Sequence, residues 1–274
     1  MTDESTTTDP TPTPQDPKTK QAGESKASRL GPLAVVVGWV QELVIVAVIA
    51  LVISALIRAF LGQVFVIPSG SMENTLQVSD RVVVSKITSV HRGDVVVFKD
   101  PGGWLTPAAQ PTGWRKVAEF VGVLPDTSDQ HLIKRIIGMP GDTVKWSPEQ
   151  GQLSVNGTLL DESAYLYSDA DGMVAPASVA FEVVVPADTV FVMGDHRNDS
   201  YDSRCHLADI TNDGRPRGAS AFVPMDDIVG PAVQIVAPLD RWSTMHRPAI
   251  FDAVPAGVTP PAEATITPEG VGCQ

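Results

Sequence analysis

The chain has 274 residues, enough for one large or two small domains with a proper hydrophobic core. Its 20 Lys+Arg against 32 Asp+Glu give a formal charge of -12, which argues against nucleic acid as the main partner, since that partner calls for a basic face. The 22 Gly and 23 Pro suit a turn-rich β architecture, and the two cysteines, Cys205 and Cys273, have no metal-ligand spacing around them.

Residues 1–30 hold Thr, Pro, Asp, Ser and Lys with almost nothing apolar, so they are expected to stay disordered. From Leu33 to Ile57 the chain is nearly all apolar, roughly the 20 to 25 residues that a helix needs to cross a lipid bilayer. Glu42 interrupts the run near its N-terminal end, where it can reach the interface or face a partner helix. A cleaved secretory signal would have a shorter core, of about 7 to 15 residues, followed by a small-residue cleavage site. Arg58-Ala59-Phe60-Leu61-Gly62 is a poor site of that kind, so residues 31–60 read as an uncleaved anchor. Lys18, Lys20, Lys26 and Arg29 precede the span and only Arg58 follows closely. The positive-inside rule then places the N-terminus in the cytoplasm and the rest of the chain outside.

Beyond the anchor the pattern changes to short β-like runs. Val64–Ile67, Arg81–Lys86, Asp94–Phe98, Phe181–Pro186 and Thr189–Met193 are rich in Val, Ile and Phe and bounded by turn residues. Leu153–Leu159 alternates apolar and polar residues around Asn156-Gly157, a strong hairpin signal. Residues 101–130 mix Pro, Gly and Trp and read as an insertion or long loop, and from about Pro248 the composition predicts a loose tail.

Three segments concentrate unusual chemistry. Ser69-Gly70-Ser71-Met72 follows the first strand, and its glycine allows a tight turn; Ser-Gly-Ser alone more often marks a plain turn. His131–Ile137 is a strand-like run in which Leu132, Lys134 and Ile136 share one face and Ile133, Arg135 and Ile137 the other. A lysine buried there sheds its proton and becomes a general base; the alternative is a pair of cations snorkelling to water from an edge strand. Gly194 to Arg204 has almost no apolar side chain, so it is either a solvated loop or a buried polar network.

Together these segments resemble the bacterial type I signal peptidases, the Ser/Lys endopeptidases of family S26. The resemblance covers the anchor, Ser69–Met72, Arg92–Phe98, Lys134-Arg135 with Pro140-Gly141-Asp142, and Gly194-Asp195 through Asp202-Ser203-Arg204, in the family's order. Two departures stand out: Asn74 where the family usually has proline, and His196-Arg197-Asn198-Asp199-Ser200 in place of Asn-Arg-Asp-Asn-Ser.

The resemblance implies a mainly β fold: one transmembrane helix, then an antiparallel catalytic β domain (61–142 and 181–247) with a smaller inserted β region (143–180). It implies Ser71 as nucleophile, Lys134 as general base, and Ser200 as the hydrogen-bond partner of the lysine nitrogen. The Ser69 hydroxyl joins the Ser71 backbone N–H at the oxyanion, while Gly194, Asp195, Asp202 and Arg204 support the site. Ile67, Pro68, Met72, Leu76, Leu132 and Ile133 line shallow substrate pockets, though each is read equally well as core packing. The substrates implied are signal-peptide-bearing preproteins cut after small residues, with the Val64–Ile67 region resting on the bilayer. No cofactor or metal is implied, and His91, His131, His196, His206 and His246 show no ligand spacing. Two rivals stay open: a self-cleaving Ser/Lys repressor-type peptidase, which the charge and the span oppose, and a membrane-anchored β binding module without catalysis. The pairing of Cys205 with Cys273 also stays open.

Overall fold

A computed structural model describes residues 32–105, 113, 131–211 and 214–268. The expected disordered segment 1–30, most of the 101–130 insertion and Cys273 lie outside them. Pro32 opens helix α1 (Pro32–Phe60), a position where proline's missing N–H costs nothing. The stretch Val36–Ile57 is long and apolar enough to cross a membrane, and none of it is buried within the protein. The chain divides between Ala47 and Val48 into two compact units, and all the β structure belongs to the second.

Fifteen strands follow among the described residues: β1 (Gly62–Val66), β2 (Arg81–Ser85), β3 (Val95–Lys99), β4 (His131–Gly138), β5 (Thr143–Trp146), β6 (Ser154–Val155), β7 (Thr158–Leu159), β8 (Ser168–Asp169), β9 (Gly172–Met173), β10 (Phe181–Val184), β11 (Thr189–Met193), β12 (Val223–Pro224), β13 (Ile228–Ala237), β14 (Ser243–Thr244) and β15 (Thr265–Thr267). An antiparallel sheet runs β1-β2-β13-β3-β4-β11-β12, with β14 paired to β13. A second sheet runs β15-β10-β5-β6-β7, and β8 pairs only with β9.

The large sheet is covered on both faces, which is why its central strands are apolar without a break. In β3, Val95 and Val97 join one buried cluster with Ile67, Met72, Leu76 and Ile133, whereas Val96 and Phe98 join another with Ile136, Val190 and Val192. In β11, Phe191 and Met193 turn instead to a third cluster that holds the second sheet. Strand β4 lies between β3 and β11, so Lys134 and Arg135 stand in an interior strand, 3% and 2% exposed, and the edge-strand reading fails. Between β6 and β7 the Asn156-Gly157 turn has positive φ at both residues (51° and 79°), as the hairpin signal requires.

Two boundaries differ from the sequence reading. The second sheet does not end at residue 180: β10 covers the edge that β5 would otherwise leave open, and β15 covers β10 in turn. The segment from Pro248 to Pro268 is not a loose tail either. Phe251 and Val254 are buried at 2% and 7%, and β15 pairs with β10. Composition misjudged it because a few apolar anchors among Pro, Ala and Thr suffice to hold a strap against a preformed surface. Cys205 is disulfide-bonded.

Candidate active site

Strand β1 ends at Val66, and the chain turns through Pro68 and Ser69 into a single 3-10 turn, Gly70–Met72. Backbone bonds from Glu73 N–H to Gly70 O (2.8 Å) and from Leu76 N–H to Met72 O (2.8 Å) tighten the turn and present the Ser71 hydroxyl. Asn74 has φ of 81°, a left-handed conformation closed to proline, and its side chain donates to Leu166 O at 3.0 Å. The departure at this position is therefore a change of backbone as well as of side chain.

The Lys134 nitrogen lies 2.5 Å from the Ser71 Oγ, and both residues are buried. Burial pushes the Lys134 amine down to about 8, outweighing the carboxylates of Asp202 and Asp195, which favour its charged form. A strand lysine with an apolar wall around it is thus neutral over a part of the pH range where an ordinary lysine is not.

Within the polar segment Gly194–Arg204, Asp195, Arg197, Ser200, Asp202 and Arg204 are buried in a network, while Asn198, Asp199 and Tyr201 face outward. Asp202 accepts from the Gly194 N–H (2.9 Å), the Ser200 hydroxyl (2.7 Å) and the Arg204 guanidinium (2.9 and 2.8 Å). Burial alone would raise its pKa, but Arg204 and these bonds hold it below the usual carboxylate value. Asp195 accepts from Arg135 (2.8 and 2.6 Å) and from the Thr75 hydroxyl (2.5 Å), and the His196 N–H donates to the Ser71 carbonyl at 3.1 Å. A Cβ on Gly194 would lie 2.5 Å from that carbonyl and 2.3 Å from the Ser200 Oγ, so only glycine lets the two loops meet.

The structure thus gathers Ser71, Lys134, Gly194, Asp195, Ser200, Asp202 and Arg204 around one point. The Ser69 hydroxyl is 3.5 Å from the Ser71 Oγ. The Ser200 hydroxyl donates to Asp202, one of the carboxylates that favour the charged form of Lys134. Beside the pair opens a cleft of about 300 Å³, walled by β1, Val97 and β4, that reaches Ile67, Pro68, Leu132 and Ile133. Met72 and Leu76 do not line it: both are 0% exposed and back Ile67 and Ile133 from the core. A second hollow of the same volume, beside β13, reaches Thr75 and Arg135 but neither Ser71 nor Lys134.

The sequence reading missed Thr75, Glu162, Tyr165 and Arg197. Arg135 shares the signal that singled out Lys134, a cation within an apolar run, whereas Arg197 lies in a polar segment that carries no such signal. Glu162 carried none, being one acid among many in an acidic chain. Among the described residues no group of three or more His, Cys, Asp or Glu side chains is placed to hold a metal ion.

Residues 40–237 match the family described as signal peptidase, peptidase S26. The chain is 33% identical to signal peptidase I of Mycobacterium tuberculosis, with 84% of each chain covered. It is 37% identical to a probable signal peptidase I of Mycobacterium leprae, over 73% of this chain and 77% of that one. A probable signal peptidase I-2 of Synechocystis is 34% identical, over 76% and 78%.

Proposed function

The chain belongs to the signal peptidase family S26 and is a serine endopeptidase, and we propose that Ser71 is its nucleophile and Lys134 its general base. The 2.5 Å approach of the Lys134 nitrogen to the Ser71 Oγ inside a buried site carries this reading. As the neutral amine takes the hydroxyl proton, the Oγ attacks the substrate carbonyl carbon. The resulting ammonium returns that proton to the leaving amine, leaving an ester on Ser71. Lys134 then draws a proton from water, whose oxygen attacks the ester and frees the serine.

The oxyanion takes hydrogen bonds from the Ser71 backbone N–H and the Ser69 hydroxyl; loss of one such donor costs about 3 kcal/mol of transition-state stabilisation. Asp195, Asp202 and Arg204 act through geometry: Asp202 anchors Gly194 and Ser200, and Asp195 ties Arg135 to Thr75. The substrate is a preprotein whose signal peptide ends in small residues. A cleft of about 300 Å³ with Ile67, Pro68, Leu132 and Ile133 in its wall favours small apolar side chains.

The protein is held in the membrane by α1, with the N-terminus cytoplasmic and the β domain extracytoplasmic. The cations before the span and the disulfide at Cys205, which an oxidising compartment maintains, support that topology. Val64 and Val66, 50% and 45% exposed, give the cleft an apolar edge suited to lipid. Cleavage of a preprotein by the full-length protein in detergent tests the assignment. Ser71→Ala and Lys134→Ala are each expected to abolish cleavage while the protein stays folded, and full cleavage by either one refutes it.

A further inference from the structure

Between β7 and β8, one 3-10 turn (Glu162–Ala164) of the inserted region carries Glu162 and Tyr165 inward, where they are 4% and 2% exposed. Glu162 accepts from the Tyr165 hydroxyl at 2.6 Å and forms an ion pair with both terminal nitrogens of Arg197. Arg197 in turn donates from Nε to the Gly194 carbonyl at 2.9 Å. Gly194 is the residue at which a Cβ would collide with the Ser71 carbonyl, and its N–H is held by Asp202. On the other side, the Tyr165 ring carries the Arg135 guanidinium at 4.3 Å, and Arg135 grips Asp195. A single turn therefore fixes both members of the Gly194-Asp195 pair, one through each arginine. Stability is a poor reason for such a pair, since apolar residues of the same volume often serve the fold as well or better.

We propose that Glu162, supported by Tyr165, is a positioning residue for the peptidase reaction. It fixes Arg197 and, through it, the Gly194 carbonyl, keeping Ser71 in register with Lys134, and it cancels the Arg197 charge within the network around the dyad. The proposal rests on the Ser71–Lys134 reading. Around Lys134 stand Asp202, Asp195 and Asp199, which favour the ammonium, and Arg204, which opposes it. Around Arg197 stand Glu162, Asp195 and the Tyr165 hydroxyl. Removing the Glu162 charge leaves Arg197 without its ion-pair partner and the network with one positive charge in excess, so Lys134 gives up its proton at lower pH.

The test measures kcat and KM for preprotein cleavage by the full-length protein across the acidic limb of the rate profile. Glu162→Gln is expected to lower kcat about tenfold with KM within about twofold, and to move the limb down by about half a pH unit. Adding Arg197→Met, which removes the uncompensated charge, returns the limb to its wild-type position. Tyr165→Phe keeps the ring over Arg135 and removes only the bond to Glu162, so it lowers kcat about threefold with the limb in place. An unmoved limb in folded Glu162→Gln overturns the proposal even where kcat falls, because a general loosening of the fold lowers kcat without changing the charge near Lys134. If Glu162→Gln does not fold, wild-type kcat in Tyr165→Phe overturns it and a lowered one supports it. Failure of the dyad itself shows differently: Ser71→Ala then still cleaves in the same assay.

Discussion

At the level of single residues, the base role proposed for Lys134 conflicts with its place in the fold. Its amine must be near-neutral to act as a base, and the burial that achieves this disfavours the folded state whenever the amine is charged. The consequence for stability has a definite sign. The folded amine titrates near 8 and an unperturbed lysine near 10.5, so between these values the unfolded chain holds a proton that the folded one has released. Unfolding free energy therefore rises with pH across that window, by about 1.4 kcal/mol per unit for one proton. Below about 8 both states are charged and the destabilisation is present in full. Lys134→Met removes the titrating group, so its unfolding free energy, followed by denaturant titration from pH 8 to 10, should lack this rise. Parallel curves for the two proteins in that window would mean that the amine titrates normally and is no base at neutral pH.

At the level of elements, what could be read from the sequence follows from how much each strand depends on its own residues. Strands β3, β4 and β11 lie inside a sheet with both faces covered, and their Val, Ile and Phe runs announce it. Strand β13 was not legible, because Gly230-Pro231 interrupts it. The sheet absorbs that pair with register shifts along β13, and a Cβ on Gly230 would lie 1.9 Å from the Ser85 carbonyl. The proposed nucleophile and base were legible, since a serine turn and a cation within an apolar run are local signals. Glu162 was not, because its role depends on where Arg197 arrives, 35 residues later. Asn74 shows how one position reshapes an element. A proline there forces φ near −65° where the chain holds 81°, and it forfeits the bond to Leu166 O. Asn74→Pro is expected to destabilise the protein by about 3 kcal/mol and to lower kcat, because Glu73 and Thr75 flank the strained bond. A melting temperature and kcat equal to wild type would show that the turn can adopt the family's usual backbone here at no cost.

At the level of the whole molecule, the two sheets of the β unit are tied by the segment that composition marked as loose. Phe251 stacks on Tyr165 at a centroid distance of 6.2 Å and fills the space beside Gly93, where a Cβ would lie 2.4 Å from its ring. The Pro255 carbonyl accepts from Asn156 at 2.9 Å and from Arg92 at 3.3 Å, while Val258 N–H donates to Gly141 O at 2.9 Å. Arg92 also pairs with Asp142, which accepts from Asn156 as well. The strap therefore closes over the contact between the Arg92-Gly93-Asp94 and Pro140-Gly141-Asp142 blocks, and places an aromatic ring behind the tyrosine that supports Arg135. A ring buried to 2% exposure has no loose-tail equivalent in energy. Phe251→Ala should lower the unfolding free energy by about 3 to 5 kcal/mol, as large-to-small changes at buried aromatic sites do. A change below about 0.5 kcal/mol, the range of ordinary surface substitutions, would mean that the strap does not hold in solution. The variant also separates two roles of the segment: if Phe251 supports Tyr165, kcat falls even in conditions where the variant remains fully folded, whereas a purely structural strap leaves kcat unchanged there.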